Sequence, residues 1–206
     1  MPSRFSQLSL SVPLAELLPD LLGPELITFN DSHGTLVVSI YPDSIVRVIT
    51  ILRDHPRCDF RQLIDITAVD YPSHPERFEI IYNLLSHKYN KRLHIKIHTN
   101  EENTVNSITS VFKCANWYER EVWDLFGIPF NNHPDLRRIL TDYDFAGHPL
   151  RKDFPLSGYV QVRYDGAEQR VIQEPLHLDQ PYRDFNFLSP WEAVPCRTNF
   201  VGENDA

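Results

Sequence analysis

The sequence predicts an α+β fold, in which helices cover a mixed sheet and a long, proline-rich, irregular C-terminal extension follows. Two observations lead to this prediction. Short segments with apolar residues at every second position are typical of strands, and other segments carry apolar residues at helical spacing. Proline is also abundant, with 16 residues in a chain of 206, and no period persists after residue 175, which predicts irregular backbone there.

Residues 1–34 are predicted to form an N-terminal segment with one short helix. Leucines recur at helical spacing in residues 14–22, and Gly23 followed by Pro24 ends the pattern. The predicted α+β core domain comprises residues 35–130 and opens with a strand at residues 35–41. A helix follows, with Asp43 or Ser44 as its N-cap. The buried face of this helix is predicted to be Ile45, Val48, Ile49 and Leu52.

Three further strands are predicted, at residues 60–69, 78–85 and 92–99. The last of these alternates most clearly. Its predicted inward residues are Leu93, Ile95 and Ile97, and its outward residues are His94, Lys96 and His98. A second core helix is predicted to start at Thr104. Its buried face would comprise Val105, Ile108, Val111 and Phe112.

A third helical pattern begins at Trp117 and ends at Gly127. One face carries Trp117, Glu121 and Leu125, and another carries Arg120 and Asp124. Pro134 predicts the start of a second helical turn, on which Leu136, Ile139 and Leu140 recur at helical spacing. Trp117 and Trp123 either fill the core or anchor an interface, because both positions favour large aromatic side chains.

Residues 131–206 form the third predicted region. Between residues 141 and 158 the chain is broken by proline and glycine but still holds large apolar side chains, which predicts packing against another surface. They are Tyr143, Phe145, Leu150, Phe154 and Leu156. Two strands, at residues 159–164 and 170–173, flank an Asp165-Gly166 turn. The tail is rich in aromatic residues, unlike most disordered tails, and is therefore predicted to dock on a partner.

Composition excludes several classes of protein. The net charge of −8 argues against a nucleic-acid-binding protein. No apolar run approaches the ~20 residues of a membrane span, and the first residues resemble neither a signal peptide nor an arginine-rich transit peptide. Cys58, Cys114 and Cys196 lie far apart. Their spacing predicts reduced thiols rather than an iron–sulfur site, which needs several closely grouped thiolates.

Several polar groups could either carry chemistry or serve a structural role. His133 and His148 both precede proline and lack a second ligand at metal-binding spacing. Aspartates at 135, 142, 144 and 153 are interleaved with Arg137-Arg138 and Arg151-Lys152. Such groups form either a substrate site or, as this interleaving favours, ion pairs that bridge subunits. No glycine-rich strand-to-helix turn indicates a dinucleotide or phosphate-loop site, and no serine, histidine and acid suggest a nucleophilic triad.

The sequence is identified as a member of a known family by five strings. EREVWDLFGIPF and HPDLRRILTDYDFAGHPLRKDFPLSGYVQVRY are the most specific, and LIDITAVDYP, RFEIIYNLLS and RDFNFLSPWE extend the match to about residues 35–192. They resemble the 30-kilodalton subunit of proton-pumping NADH:quinone oxidoreductase, respiratory complex I. This protein is called the C subunit in bacteria, and subunit 9 or iron–sulfur protein 3 in mitochondria.

The resemblance implies a cofactor-free structural subunit of the hydrophilic arm. Its implied partners are chiefly the 49-kilodalton subunit, with the PSST and ferredoxin-like subunits nearby, and no nucleic acid. FMN, iron–sulfur clusters and ubiquinone would belong to partner subunits. The implied location is the matrix side of the mitochondrial inner membrane, or the cytoplasmic side of a bacterial plasma membrane, with the membrane reached through the complex.

The predicted site is accordingly a subunit interface, with no catalytic, cofactor-binding or metal residue. Its predicted residues are Trp117, Arg120, Asp124, Phe126, Asp135, Arg137, Arg138, Asp144, His148, Arg151, Lys152, Phe154, Tyr182, Phe185, Phe187 and Trp191. Two alternatives stay open. One is an independent soluble enzyme that uses the aspartates and arginines. The other is the equivalent subunit of the plastid quinone reductase or of a membrane-bound hydrogenase. The family resemblance favours the respiratory NADH enzyme over this second alternative.

Overall fold

The computed structural model describes residues 14–32 and 34–180, and the chain divides into two compact units at Gly158 and Tyr159. The described residues of the first unit form three α-helices, α1 (Leu14–Leu22), α2 (Ile45–Asp54) and α3 (Ala115–Phe126), and strands β1 to β7. These strands are Leu26–Ser32, Thr35–Ile40, Gln62–Asp70, Phe78–Ser86, Lys91–Thr99, Val105–Asn106 and Phe130–Asn131. The second unit contains the hairpin of β8 (Val160–Asp165) and β9 (Arg170–Pro175).

The main sheet has five strands in the order β1-β2-β5-β4-β3. β2 and β5 are parallel, and the other neighbours are antiparallel. The register aligns Val38, Ile95, Tyr82 and Ile66 in one row across four strands, and all four are buried. α2 contributes its four predicted apolar residues to this core, and α3 packs against β3. The α+β fold and the mixed sheet are therefore confirmed.

Most predicted elements of the core lie where the apolar period placed them. The alternation in β5 is confirmed, because Leu93, Ile95 and Ile97 are fully buried whereas the residues between them are half-buried. Ser44 is the N-cap residue of α2, as predicted, but its side chain makes no capping hydrogen bond. A 3-10 turn at Pro42–Ser44 leads directly into the helix, and the Ser44 hydroxyl donates backwards to the Tyr41 carbonyl at 2.8 Å.

The helix predicted from Thr104 is wrong. Val105–Asn106 is instead a short strand, parallel to Phe130–Asn131. Val105, Ile108 and Phe112 are buried as predicted and Val111 is half-buried, but a short strand and turns rather than a helix direct them inward. Ser107 explains part of this difference, because its hydroxyl accepts a hydrogen bond from the backbone N–H of Thr109 at 3.2 Å, and such side-chain-to-backbone bonds compete with helical ones.

Two other expectations differ from the folded chain. β1 lies in the N-terminal segment, for which the sequence predicts only a helix, yet it forms an edge of the main sheet. Its polar end, Asn30-Asp31-Ser32, masks the strand pattern, because alternation is lost where both faces are exposed. The helical turn predicted at Pro134 is absent, and residues 132–158 contain no helix or strand. The irregular tail predicted beyond Gln180 lies outside the described residues.

Candidate subunit interface

The irregular residues 132–158, called the signature segment below, form one connected structure with the end of α3. Its centre is the carboxylate of Asp124, which is fully buried on α3. One carboxylate oxygen accepts hydrogen bonds from the backbone N–H groups of residues 139, 140 and 141, at 3.1, 2.7 and 2.9 Å. The other accepts from the Thr141 hydroxyl at 2.5 Å. The Asp124 carboxylate therefore accepts hydrogen bonds from three consecutive backbone amides. These amides have no helical partners, because the segment forms no helix.

The charge of Asp124 is stabilised by these same bonds. Burial acts to raise the pKa of the carboxyl, but the hydrogen bonds from Thr141, Leu140 and Ile139 outweigh burial and lower the pKa. Arg138 adds a longer contact, with 3.4 Å between its Nη1 and Asp124 Oδ1. Asp124 is therefore an ionised anchor of the signature segment rather than a proton donor.

The signature segment also satisfies the C-terminal end of α3. The last four carbonyls of a helix have no partner within the helix. Here the Trp123 carbonyl accepts from Gly127 N at 2.8 Å, and the next three accept from His148 Nδ1, Leu150 N and Arg151 Nε at 2.9, 3.1 and 2.6 Å. The pKa of His148 is lowered, chiefly by burial, which favours the neutral form of its ring.

Gly127 makes this close approach possible. Its φ of 77° lies in the left-handed region that favours glycine. A Cβ at this position would lie 2.5 Å from His148 Nε2 and 2.6 Å from Arg151 Nη2. The glycine that ends α3 thus also leaves room for the two side chains that bind its carbonyls.

Two arginines hold the middle of the signature segment. Arg120 of α3 donates to the carbonyls of Arg137 and Arg138 at 3.0 and 3.1 Å, and its guanidinium lies 5.5 Å from the centre of the Trp117 ring. Arg138 donates to the Gly147 carbonyl at 2.9 Å. Both guanidinium groups therefore bind backbone carbonyls of the same chain.

An ionic cluster joins the signature segment to the main sheet. The buried Asp70, at the end of β3, accepts two hydrogen bonds from Arg77, at 2.6 and 2.8 Å, and one from Lys152 N at 2.7 Å. Arg77 also pairs with Asp153 at 3.1 Å and with Glu101 at 2.7 Å, and Glu101 reaches Arg151 at 3.3 Å. The guanidinium of Arg77 lowers the pKa of Asp70.

The predicted interface residues divide into two groups in the folded chain. Those that contact other parts of the chain are Arg120, Asp124, Phe126, Arg138, His148, Arg151 and Phe154. Those that face outward are Trp117, Asp135, Arg137, Asp144 and Lys152. Trp117 is 63% exposed, so it does not fill the core. Tyr182, Phe185, Phe187 and Trp191 lie outside the described residues. Their role at an interface stays a prediction.

The predicted site missed the side chains that the signature segment presents to solvent. Tyr143 and Leu156 are 95% and 87% exposed, and Leu140 and Leu150 are also exposed. The sequence contained a signal for them, namely large apolar groups in a segment broken by proline. It contained no signal for which of these groups would pack inward, as Phe145 and Phe154 do against each other, with 5.7 Å between ring centres.

The hairpin of the second unit carries a further exposed apolar face. Alternation places Val160, Val162 and Tyr164 on one side of β8, and the register sets Val171 of β9 opposite Tyr164. These four residues are 53–63% exposed. A two-stranded hairpin is marginally stable alone, and covering one face is the usual way to stabilise it.

The described residues contain neither a metal site nor a membrane span. No group of three or more histidine, cysteine, aspartate or glutamate side chains is arranged to hold a metal ion within residues 14–32 and 34–180. In the same part of the chain, no helix has the length and apolar character needed to cross a membrane.

Comparison with known proteins decides the family. A profile of the family described as respiratory-chain NADH dehydrogenase, 30 Kd subunit, matches residues 38–160. The chain belongs to this family. The match to the 30 Kd subunit family begins within β2, includes α3 and the whole signature segment, and ends at the first residue of β8.

Similar members of the family come from several organisms. The chain is 54% identical over 184 residues to the C subunit of the NADH-quinone oxidoreductase of Parvibaculum lavamentivorans, covering 88% of this chain and 92% of that protein. It is also 54% identical over 163 residues to NADH-ubiquinone oxidoreductase subunit 9 of Reclinomonas americana, covering 79% of this chain and 80% of that protein.

One solved structure shows the same fold. It is a chain in the structure of the membrane-bound sulfane sulfur reductase, described as an archaeal respiratory membrane complex. The superposition has a TM-score of 0.58 and covers 69% of this chain and 85% of that one, at 24% sequence identity.

Proposed function

We propose that the chain is a core, cofactor-free structural subunit of the quinone-reducing module of proton-pumping NADH:quinone oxidoreductase. It is needed for assembly of the hydrophilic arm and thereby for electron transfer from NADH to ubiquinone. Family membership and the 54% identity to the bacterial C subunit and to subunit 9 support its place in this enzyme. The chemistry itself belongs to partner subunits that bind FMN, iron–sulfur clusters and quinone.

The observation that carries the proposal is the two-sided construction of the signature segment. On one side, Asp124 and the end of α3 hold its backbone through buried hydrogen bonds. On the other side, Tyr143 and Leu156 project into solvent almost completely. Holding large apolar groups outward on an ordered scaffold avoids much of the entropic cost of ordering a loop when it binds. This construction suits a docking surface.

The proposed neighbours are chiefly the 49-kilodalton subunit, with the PSST and ferredoxin-like subunits nearby. The resemblance of the signature strings to the 30-kilodalton subunit supports this choice. In that position the chain would keep the quinone-reducing subunits in register, and reaction rates fall steeply when reacting groups are misplaced.

The cysteines support the absence of a redox centre in this chain. Cys58 is buried, and burial raises the pKa of its thiol to about 11, which disfavours the thiolate that a metal requires. Cys114 is exposed at the start of α3 and is far from Cys58 in the sequence, so the two thiols do not form a closely spaced ligand pair. Cys196 lies outside the described residues.

The proposed location is peripheral, on the negative side of the membrane. This would be the matrix side of a mitochondrial inner membrane or the cytoplasmic side of a bacterial plasma membrane. Similar proteins are named both as the C subunit, in bacteria, and as subunit 9, in Reclinomonas americana. The membrane would be reached through the complex.

The two alternatives have less support. An independent enzyme would need its aspartates and arginines to face a substrate, whereas Asp124, Arg120 and Arg138 bind backbone groups of this chain. A subunit of a plastid quinone reductase or a hydrogenase would fit the same fold. The names of the similar proteins favour the NADH enzyme.

The docking surface is tested by substituting its outermost side chains. We expect Tyr143→Asp and Leu156→Asp each to lower the amount of assembled complex severalfold, because a carboxylate cannot be buried unpaired at an apolar interface. The isolated variants should unfold at the same urea concentration as the parent chain, since both side chains are almost fully exposed. The amount of assembled complex is measured on native gels, and the NADH:quinone activity is normalised to the flavin content.

The matched control is Tyr41→Asp, a tyrosine that is 55% exposed and lies between β2 and α2. It should leave the amount of complex unchanged. Full assembly of all three variants would exclude the signature segment as a docking surface. Full assembly with a hundredfold loss of activity per flavin would instead favour a direct role in the chemistry.

A further inference from the structure

A second carboxylate of α3, Glu119, is fully buried and has no part in the proposed docking surface. One of its oxygens accepts a hydrogen bond from Ile108 N at 2.8 Å, and the other lies 2.6 Å from the Ser107 hydroxyl. Ser107 is in turn bonded to Thr109 at 2.9 Å. Glu119 thus connects α3 to the turn that follows β6, in the place where the sequence predicted a helix.

The other groups that face Glu119 carry no fixed positive charge. From β4 comes Tyr82, which is fully buried and whose hydroxyl has no hydrogen-bond partner within the described part of the chain. From the signature segment comes His133, with a fully buried side chain and 3.8 Å between its Nε2 and the nearer carboxylate oxygen. Among the described residues, no lysine or arginine lies within ion-pair distance of Glu119.

The hydrogen bonds of His133 define its protonation state. Its Nδ1 accepts a hydrogen bond from Asp135 N at 3.1 Å, so this nitrogen carries no proton. Its Nε2 lies 3.2 Å from the Asn116 carbonyl, which can only accept, so this nitrogen carries the proton. His133 is therefore neutral, and it cannot become a cation for Glu119 without losing the bond to Asp135.

The carboxyl of Glu119 accordingly keeps its proton to a higher pH than an exposed glutamate does. Burial raises its pKa from 4.5 to about 7, and the bonds from Ser107 and Ile108 oppose this rise only in part. In the neutral form the carboxyl donates its proton to the Ser107 oxygen, and Ser107 donates to Thr109. Loss of the proton would place an anion among Tyr82, Ser107 and a neutral histidine.

We propose that Glu119 is a proton-binding switch at the junction between the α+β core and the signature segment. When Glu119 binds a proton, His133 stays on the Asn116 carbonyl and its ring holds the backbone at Asp135. When Glu119 releases the proton to solvent, Ser107 turns its hydroxyl toward the carboxylate. The Nε2–H of His133 then moves from Asn116 to the nearer carboxylate oxygen, 3.8 Å away. The ring can make this move only by weakening its bond to Asp135 N, at the start of the signature segment.

The effect of pH on folding has a definite sign. The proton binds more tightly in the folded chain than in the unfolded one, because the pKa of Glu119 is raised. The contribution of the Glu119 proton to the stability of the folded chain is therefore fully present below about pH 4.5, and it is lost as the pH rises through about 7. Over this window the equilibrium constant for unfolding should rise on the order of a hundredfold through this one group.

The direct test is a carbon-13 NMR titration of the full-length chain labelled at glutamate, between pH 5 and pH 9. We expect one carboxyl carbon to titrate near pH 7, and Glu119→Gln to remove that signal. The histidine nitrogen resonances should show the hydrogen-bond environment of His133 changing at the same pH. Titration of every glutamate below pH 5.5 in the wild-type chain would overturn the proposal, whether or not the variant folds.

Amide exchange supplies a second measurement and its control. Exchange at Asp135 N, corrected for the intrinsic effect of pH, should increase across the same range in the wild-type chain. It should not increase in Glu119→Gln, in which the side-chain carbonyl still accepts from Ile108 N. The matched control is Glu121→Gln, an exposed glutamate two residues further along α3, which should behave like the wild type. Equal pH dependence in all three chains would contradict the switch.

Discussion

Among the described glycines, Gly127 is the one at which a Cβ would make the shortest contacts. It adopts a left-handed conformation, and its missing Cβ leaves the space that His148 and Arg151 occupy. An L-residue in this conformation costs roughly 1–2 kcal/mol through backbone strain alone. At Gly127 a clash with two hydrogen-bonded side chains would add to that strain.

We therefore expect Gly127→Ala to lower the free energy of unfolding more than strain alone does. The matched control is Gly34→Ala, because Gly34 also has a positive φ, of 81°, but nothing lies within 4 Å of the place that a Cβ would take. Urea unfolding should show a loss of ~1–2 kcal/mol for the control and at least ~1 kcal/mol more for Gly127→Ala. Equal losses would mean that His148 and Arg151 move aside freely.

At the scale of elements, the hairpin of β8 and β9 differs from the five-stranded sheet. Both faces of a strand such as β4 contain buried residues, whereas Val160, Val162 and Tyr164 of β8 are more than half exposed. Two strands with one uncovered apolar face bury little surface, and elements of this kind open at a low free energy.

Hydrogen exchange should resolve this difference between elements. In the isolated full-length chain, we expect amides of β8 and β9 to exchange more than about tenfold faster than those of β4 and β5. In the assembled complex, the hairpin amides should become protected, because a partner then covers the apolar face. Protection of the hairpin that already matches β4 in the isolated chain would contradict a docking role for this face.

At the scale of the whole molecule, the signature segment depends on the core for its conformation. Asp124 holds its middle, α3 binds its end, and Asp70 of β3 accepts from Lys152 N. A substitution at one of these anchors should therefore affect assembly through the fold of this chain. A substitution of an exposed residue would act only on contacts with partners.

Substitutions at the adjacent residues Arg138 and Arg137 distinguish an effect on the fold of this chain from an effect on contacts with partners. We expect Arg138→Glu to destabilise the isolated chain by about 2–5 kcal/mol, because a second carboxylate then faces the buried Asp124. The amount of assembled complex should fall far more than the activity of each surviving complex. Arg137→Glu should leave folding nearly unchanged, since this side chain is 67% exposed and pairs with Asp135 at the surface.

Urea unfolding, native-gel abundance and activity per flavin measure the three quantities. Equal effects of the two substitutions on unfolding would remove the distinction between anchor and surface. A normal amount of Arg138→Glu complex with slow turnover would support a direct role for this segment in the reaction.

Most of the α+β core could be predicted from the sequence, because apolar period and burial act locally. The alternation of β5, the buried face of α2 and the end of α3 at Gly127 each depend on residues within a few positions. The resemblance of two long strings to the 30-kilodalton subunit also determined the family, which the profile match at residues 38–160 confirms. The interface residues named from that resemblance remain predictions.

The directions of the charged side chains in the signature segment became apparent only in the folded chain. The sequence placed Asp124 and Arg138 among many paired charges, but the contacts of Asp124 join it to residues 14–17 positions away. Likewise, no local pattern relates Asp70 to Lys152, which lie 82 positions apart. The helix expected at Thr104 failed for the same reason, because the amide of Ile108 binds Glu119 of another element. Most buried polar groups find a partner wherever the fold provides one, and that choice depends on distance in space rather than on order in the chain.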